Sequence, residues 1–178
     1  MATQREANPR QLVKLREFST QLAQRLKEAP NLPTEPTRLA IRIGAENYLV
    51  EMALASEIVS LPEIARVPWT KPWYRGLTNV RGRLVGVVDL QQLMGREALP
   101  PEQSQQLLVL GEGLGIAAGI LVSRAFGIRN LKDLEPLDAA PVKGEWDRNR
   151  YRDLDGIALT ELDLRELAVA PAFTAIHA

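Results

Sequence analysis

The feature that most constrains the fold is a change of hydrophobic period at residue 38. From there Leu39, Ile41 and Ile43 occupy alternate positions, which is the spacing of a half-buried β-strand. Further short apolar segments follow, most of them next to a Gly, Pro or Asn. They cover 48–52, 55–61, 77–81 and 84–90, two runs around the turn at 111–115, and the start of 156–169. Many short strands with such turns predict an all-β barrel or sandwich.

Breaker-rich segments divide this β region further. REALPPEQS at 96–104 separates two groups of strands, so two small barrels are expected rather than one large barrel. DLQQLMG at 89–95 predicts one or two helical turns, with Asp89 as the N-cap and Gly95 at the end. The polar and charged segment 143–153 is expected to form a loop.

The N-terminal part of the chain follows a different pattern. Residues 8–29 carry a helical stripe of leucines after Asn8 and a proline, which predicts a capped helix. The segment 29–37, APNLPTEPT, holds three prolines and predicts a stiff linker. The expected organisation is therefore a helix with its linker at 1–37 and a β domain at 38–178. Whether the helix packs on that domain or contacts a partner stays open.

The side chains on which most enzyme active sites and metal sites depend are scarce in this sequence. The sequence has no cysteine, and its one histidine is His177, next to the last residue. This disfavours a Cys nucleophile, a histidine base and a zinc site. The glycine-rich segment 111–115, GEGLG, lacks the G-x-G-x-x-G spacing of a dinucleotide-binding loop and predicts a hairpin turn. We expect no catalysis, no cofactor and no metal.

Nucleic-acid binding is the alternative that the sequence raises most directly, because arginines lie near aromatic side chains. The residues concerned are Arg75, Arg81, Arg83, Trp69, Trp73 and Tyr74. The formal net charge of the chain is zero, so it offers no general attraction for a polyanion. We therefore expect no nucleic-acid partner.

Membrane insertion is also disfavoured. The longest nearly apolar stretch, 114–122, is far shorter than a bilayer-spanning helix, and the N-terminus has no apolar core of a secretory signal. The expected location is the cytoplasm, with any membrane association made through a partner.

A longer pattern resembles a known family. The segments are YLVEMALASEIV (48–59), PEIARVPWTKPWYRGLTNVRGRLVGVVDL (62–90) and LMG (93–95). Within them the spaced block consists of Gly76, Asn79, Arg81, Gly82, Val88, Asp89 and Leu90. It resembles the CheW-like chemotaxis coupling domain, and the sequence of the block is most similar to the PilI branch from type IV pilus (twitching motility) systems. The second half fits more loosely, with Ser123 where the family often has aspartate.

The resemblance implies a fold and a role. The fold is two five-stranded SH3-like β-barrels, here preceded by an N-terminal α-helix. The role is that of an adaptor between the cytoplasmic tip of a chemoreceptor and the regulatory domain of a CheA-type histidine kinase. It also implies recruitment to membrane-associated receptor arrays, and it puts candidate kinase contacts within 114–128.

The resemblance also implies which residues face the receptor. They are Glu57, Arg81, Asn79, Val80 and Gly82, followed by the less specific candidates Arg83, Trp69 and Trp73. A carboxylate and a guanidinium make a directional contact, so Glu57 and Arg81 could serve recognition, or they could be a structural ion pair between strands. The two tryptophans either pack against a barrel end or act as interface anchors.

Overall fold

The computed structural model of this chain describes residues 37–102, 106–137 and 145–178. The predicted N-terminal helix at 8–29 lies outside the described residues, and the domain division at 37/38 stays a prediction. The strands are β1 Thr37–Ile43, β2 Glu46–Glu51, β3 Ala55–Ser60, β4 Tyr74–Val80, β5 Arg83–Val88, β6 Gln106–Leu110, β7 Ala118–Val122, β8 Arg124–Asn130, β9 Glu135–Pro136, β10 Asp147–Arg152 and β11 Ala158–Leu162. The helices are α1 Leu90–Leu93, α2 Leu164–Val169 and α3 Pro171–Thr174, and single 3-10 turns cover Met52–Leu54, Glu112–Leu114 and Leu131–Asp133.

The strands form two sheets, which confirms the all-β prediction. A six-stranded sheet has the order β8-β1-β2-β11-β10-β9, and a five-stranded sheet has the order β3-β6-β7-β5-β4. The segment 96–104 lies between β5 and β6, two strands of the smaller sheet, so the expectation that it separates two barrels is wrong. The larger sheet instead joins the first two strands to the last four, through pairings such as β2 with β11.

The apolar runs of β6 and β7 are buried on both faces of the smaller sheet. Leu108 and Ile120 belong to a central core that also contains Ile41 and Val50 of the larger sheet. The alternate side chains, such as Leu121, belong to a second cluster under the smaller sheet. Because side chains alternate between faces, burial on both sides explains why these two strands are almost wholly apolar.

The expected loop at 143–153 is wrong, because β10 occupies 147–152. Its side chains are mostly polar, but Tyr151 is buried in a third cluster, next to Leu159. These two residues are direct partners in the ladder between β10 and β11. One aromatic residue among arginines gave no visible alternation, so the strand depends on a neighbour that lies later in the chain.

The short helices agree with their predicted signals. Asp89 caps α1, with its Oδ1 accepting hydrogen bonds from the backbone N–H groups of Gln91 at 3.1 Å and Gln92 at 3.3 Å. Gly95 follows the helix with a φ of +71°, the left-handed conformation that commonly ends a helix. Asp163 caps α2 in the same way. No helix in the described ranges is long and apolar enough to cross a membrane.

Candidate docking site

The turn between β4 and β5 is built from Arg81 and Gly82. Val80 and Arg83 are paired on either side of it, and φ is +51° at Arg81 and +85° at Gly82. Positive φ at both central positions defines a type I′ hairpin turn. Asn79 Oδ1 accepts a hydrogen bond of 2.8 Å from the Gly82 N–H. This confirms that Gly82 permits the turn and that Asn79 bonds to its backbone.

Arg81 projects from this turn and contacts Glu57. Its Nη2 lies 2.9 Å from Glu57 Oε2, with side chains that are 79% and 25% exposed. Glu57 is on β3 and Arg81 follows β4, and these strands are the two edges of the smaller sheet. The ion pair therefore spans the seam between edges rather than two neighbouring strands of a ladder. At this exposure it contributes about 0–1 kcal/mol to stability.

The chain that follows β3 lies along the β4 side of the same seam. The Ala65 N–H donates to the Leu77 carbonyl at 2.7 Å, and the Leu77 N–H donates back at 2.8 Å. Gly76 has a φ of +133°, and a Cβ there would lie 2.2 Å from the Ala65 carbonyl oxygen. Gly76 is thus required for the chain that follows β3 to lie against β4.

Asp89 has a structural role in the chain that follows β5. Its side chain is fully buried; besides capping α1, Oδ2 accepts a 2.9 Å hydrogen bond from the Leu99 N–H. Arg75 Nη1 lies 3.4 Å from the same oxygen. Asp89 therefore organises the chain after β5, as the sequence predicted for a cap.

The remaining predicted site residues are not gathered together. Val80 is buried in the cluster under the smaller sheet. Trp73 is 7% exposed and stacks on Phe173 with ring centroids 6.2 Å apart, so it packs in the core. Trp69 is 87% exposed. Arg83 forms an exposed ion pair of 2.6 Å with Glu112.

The sequence interpretation did not identify Leu84 as a surface residue. Its side chain is 64% exposed, opposite Asn79 in the ladder. Together with Pro62, Ala65 and Leu77 it lines an open groove beside the turn. The signal was present in β5, where Val85 points inward and Leu84 must therefore point outward.

Ser123 occupies a position where the CheW-like family often has aspartate, and its hydroxyl oxygen still provides a hydrogen-bond acceptor there. Its Oγ accepts a hydrogen bond of 3.1 Å from the Gly44 N–H, in the turn between β1 and β2. The position serves that turn, and a serine oxygen is sufficient for it.

A polar contact joins the larger sheet to the chain after α1. The Tyr48 hydroxyl donates to Glu46 Oε2 at 2.6 Å, and Arg96 forms an ion pair with the same carboxylate. Burial first, and then the bond to Glu46, raises the pKa of Tyr48 above its usual value. For Arg96, burial acts to lower the pKa, but the bonds to Glu46 and Tyr48 raise it overall.

The described residues contain no group of three His, Cys, Asp or Glu side chains that could hold a metal ion. What the turn and seam present to solvent is a guanidinium, a partly exposed carboxylate and a short apolar groove. This arrangement is suited to directional docking of another protein surface.

Known proteins share the sequence pattern and the fold of this chain. A family model described as the CheW-like domain matches residues 38–168. Protein PilI of Pseudomonas aeruginosa is 32% identical over 108 residues, which span 57% of this chain and 60% of PilI. Chemotaxis protein CheW of Thermotoga maritima is 27% identical over 148 residues, which span 82% of this chain and 91% of that protein.

A solved structure shares the fold. The scaffolding protein TtCheW from Thermoanaerobacter tengcongensis superposes with a TM-score of 0.64 at 17% identity, covering 78% of this chain and 96% of the other. At that identity the likeness concerns the fold.

Proposed function

We propose, from the premise that the chain belongs to the CheW-like family, that it couples chemoreceptors to a CheA-type histidine kinase without catalysing a reaction. Membership itself gives the broader statement: this is a CheW-like scaffold of chemotaxis-type signalling, in a family of scaffold proteins rather than enzymes. The finer proposal names the two partners and recruitment to receptor arrays at the membrane.

The observation that carries the proposal is the conformation of Arg81. A type I′ turn prefers Asn or Gly at its first central position, and a left-handed non-glycine residue costs roughly 1 kcal/mol. The ion pair that Arg81 makes is exposed and offsets little of that cost. The other residues of the motif have structural positions in the turn, the seam and the α1 cap or, for Val88 and Leu90, in the central core. An arginine kept on a strained, exposed turn supports a role in binding.

The proposed receptor surface comprises Glu57, Asn79, Arg81 and the groove at Leu84. Here a receptor tip would place a polar group against the guanidinium and an apolar side chain in the groove. Val80 and Trp73 act through packing, because their side chains are buried. Gly82 acts through the turn.

The test is the binding of the full chain to a receptor cytoplasmic tip, measured by calorimetry. Arg81→Ala and Glu57→Ala are each expected to weaken binding about tenfold, within the range of interface side chains. Arg152→Ala is the matched control, because Arg152 forms an exposed ion pair with Glu135 on the larger sheet. It should bind within about twofold of the wild type.

Binding of both site variants at wild-type affinity would remove Glu57 and Arg81 from the receptor surface. The adaptor proposal as a whole is tested separately, by titrating the unmodified chain with the regulatory domain of the kinase. A lack of binding to that domain would contradict coupling, whatever the variants do.

We infer further that the signalling system is the one that controls type IV pili. The support is the similarity to PilI, whose matched part is about three fifths of its length. Parallel titrations with the regulatory domains of a pilus-system kinase and a flagellar-system kinase of one bacterium test this. Tighter binding to the pilus-system domain is expected, and the reverse order would contradict the inference.

A further inference from the structure

Trp69 is held in solvent by a fixed loop. Its indole is 87% exposed, and its φ is +59°, which is rare for a bulky side chain. The Trp69 carbonyl accepts a 3.1 Å hydrogen bond from the Ala178 N–H, and the Lys71 N–H donates to the Ile176 carbonyl at 2.8 Å. Backbone bonds on both sides of the loop thus keep a large aromatic ring out of the core.

A pocket with cationic walls lies beside this loop. It is lined by Arg66, Thr70, Lys71, Tyr74, Arg75 and Gln92, and we refer to it as the cationic pocket. Arg75 is compensated by buried Asp89. Within the part of the chain that the structure describes, Arg66 and Lys71 have no carboxylate partner. Among the described residues, two cations without a carboxylate partner therefore lie within three positions of an exposed indole.

We propose that Trp69 and the cationic pocket form a second docking surface, which binds an acidic segment of a partner protein. The carboxylates of the segment pair with Arg66 and Lys71, while its side-chain stems lie across the indole face. Trp and Arg are the residue types that contribute most where interfaces exclude water. The surface shares no residue with the Glu57–Arg81 pair, and the proposal does not depend on the function proposed above.

Charge favours an acidic polypeptide over a nucleic acid. Single-stranded nucleic acid needs a cationic groove that follows several phosphates, with aromatic rings for successive bases. Here only Trp69 of the nearby tryptophans is exposed, since Trp73 is buried. The chain as a whole carries no net charge, so the attraction is confined to the pocket.

The experiment is a titration of the isotope-labelled full chain with a capped hexaglutamate peptide, followed by NMR. We expect a saturable shift of the Trp69 indole N–H and of the Lys71 backbone amide, with little change at Trp73 or Trp146. The double variant Arg66→Glu/Lys71→Glu should weaken binding by about tenfold, because it reverses the charges of exposed Arg66 and half-buried Lys71. Trp69→Ala should weaken it as well, measured at Lys71.

The matched control is Arg124→Glu, which reverses an exposed arginine on the larger sheet and should leave the affinity unchanged. Equal weakening by Arg124→Glu would show general charge attraction and overturn the proposal. Wild-type affinity in the double variant would overturn it too. Tighter binding of an oligothymidylate than of hexaglutamate at the same ionic strength would replace the acidic protein with a nucleic acid.

Discussion

At the scale of single residues, the two non-glycine positions with positive φ in the described ranges are Trp69 and Arg81. Both side chains are exposed, and a glycine or asparagine would fit either backbone at a lower cost. A strained backbone persists only where its surroundings fix it. Here the surroundings are the type I′ turn around Arg81 and the backbone bonds to residues 176 and 178 around Trp69.

The strain at Arg81 can be measured by comparing Arg81→Gly with Arg81→Ala. Both variants lose the ion pair to Glu57, so their difference reports the backbone alone. We expect the glycine variant to be more stable by about 1 kcal/mol in urea denaturation, because only glycine adopts this φ freely.

The neighbouring Arg83 provides the control, since it begins β5 and is not among the residues with positive φ. There the order should reverse, with Arg83→Gly less stable than Arg83→Ala by about 0.5–1 kcal/mol. The same order at both positions would mean that the turn imposes no strain on Arg81.

The sequence predicted the structural roles of those residues whose contacts are with near neighbours in the chain. Asn79 bonds to Gly82 within the turn, and Asp89 caps residues two and three positions later. Turn and cap rules cover such contacts. The role of Gly76 was not visible, because the oxygen it avoids belongs to Ala65 across the seam. The contrast between Trp69 and Trp73 depends on Phe173, which lies a hundred residues later.

At the scale of elements, the pairing of the chain after β3 with β4 depends on the approach of Gly76 to Ala65. Gly76→Ala introduces a Cβ about 2.2 Å from the backbone oxygen of Ala65, so the segment that holds Ala65 must move away from β4. We expect a loss of roughly 2–4 kcal/mol, which adds a steric clash to the left-handed strain. Urea denaturation measures the loss.

Gly82→Ala separates the two causes. Gly82 also has positive φ, but a Cβ there has no neighbour within 4 Å. It should therefore lose only about 1 kcal/mol. Equal losses for the two variants would show that the close contact with Ala65 does not contribute to the loss.

A second element-scale link joins β2 to the chain after α1 through Tyr48. Because its pKa is raised in the folded protein above its ordinary value of 10.0, the unfolded chain releases this phenol proton first as the pH rises. The stabilising contribution is fully present below pH 10 and is lost above it, by about 1.4 kcal/mol per pH unit.

Tyr48→Phe removes that dependence and leaves the other tyrosines in place. We expect the variant to be less stable than the wild type at pH 8, because Glu46 and Arg96 lose a hydrogen-bond partner. The difference between the two proteins should shrink from pH 10 upward in chemical denaturation. A difference that stays constant across this range would contradict the assigned cause.

At the scale of the whole molecule, the two sheets are not two halves of the chain. The local hydrophobic pattern and the turn residues predicted most strands, but they contain no information on which distant strands pair. The chain therefore looked divisible at 96–104, where prolines and polar residues cluster. The pairing of β2 with β11, and the return of the chain to β1 through β8, depend on burial of both sheets against one central core.

A shared central core predicts one cooperative unfolding transition. Ile120 faces the central core and Leu121 faces the cluster under the smaller sheet, and both are almost fully buried. Truncation of either to alanine should cost about 2–5 kcal/mol. In a cooperative molecule, both variants lower amide-exchange protection in the slowest amides of both sheets by the same free energy.

Independent lobes give a different pattern. Leu121→Ala would then reduce protection in β6 and β7 while leaving the amides around Tyr151 in β10 as they are in the wild type. Native-state exchange of the full chain distinguishes the two cases, because it reads each strand separately. Equal losses in both sheets are expected, because β7 contributes Leu121 to the cluster under the smaller sheet and Ile120 to the central core that both sheets share. A loss confined to the smaller sheet would mean that the two sheets unfold separately, although they share the central core.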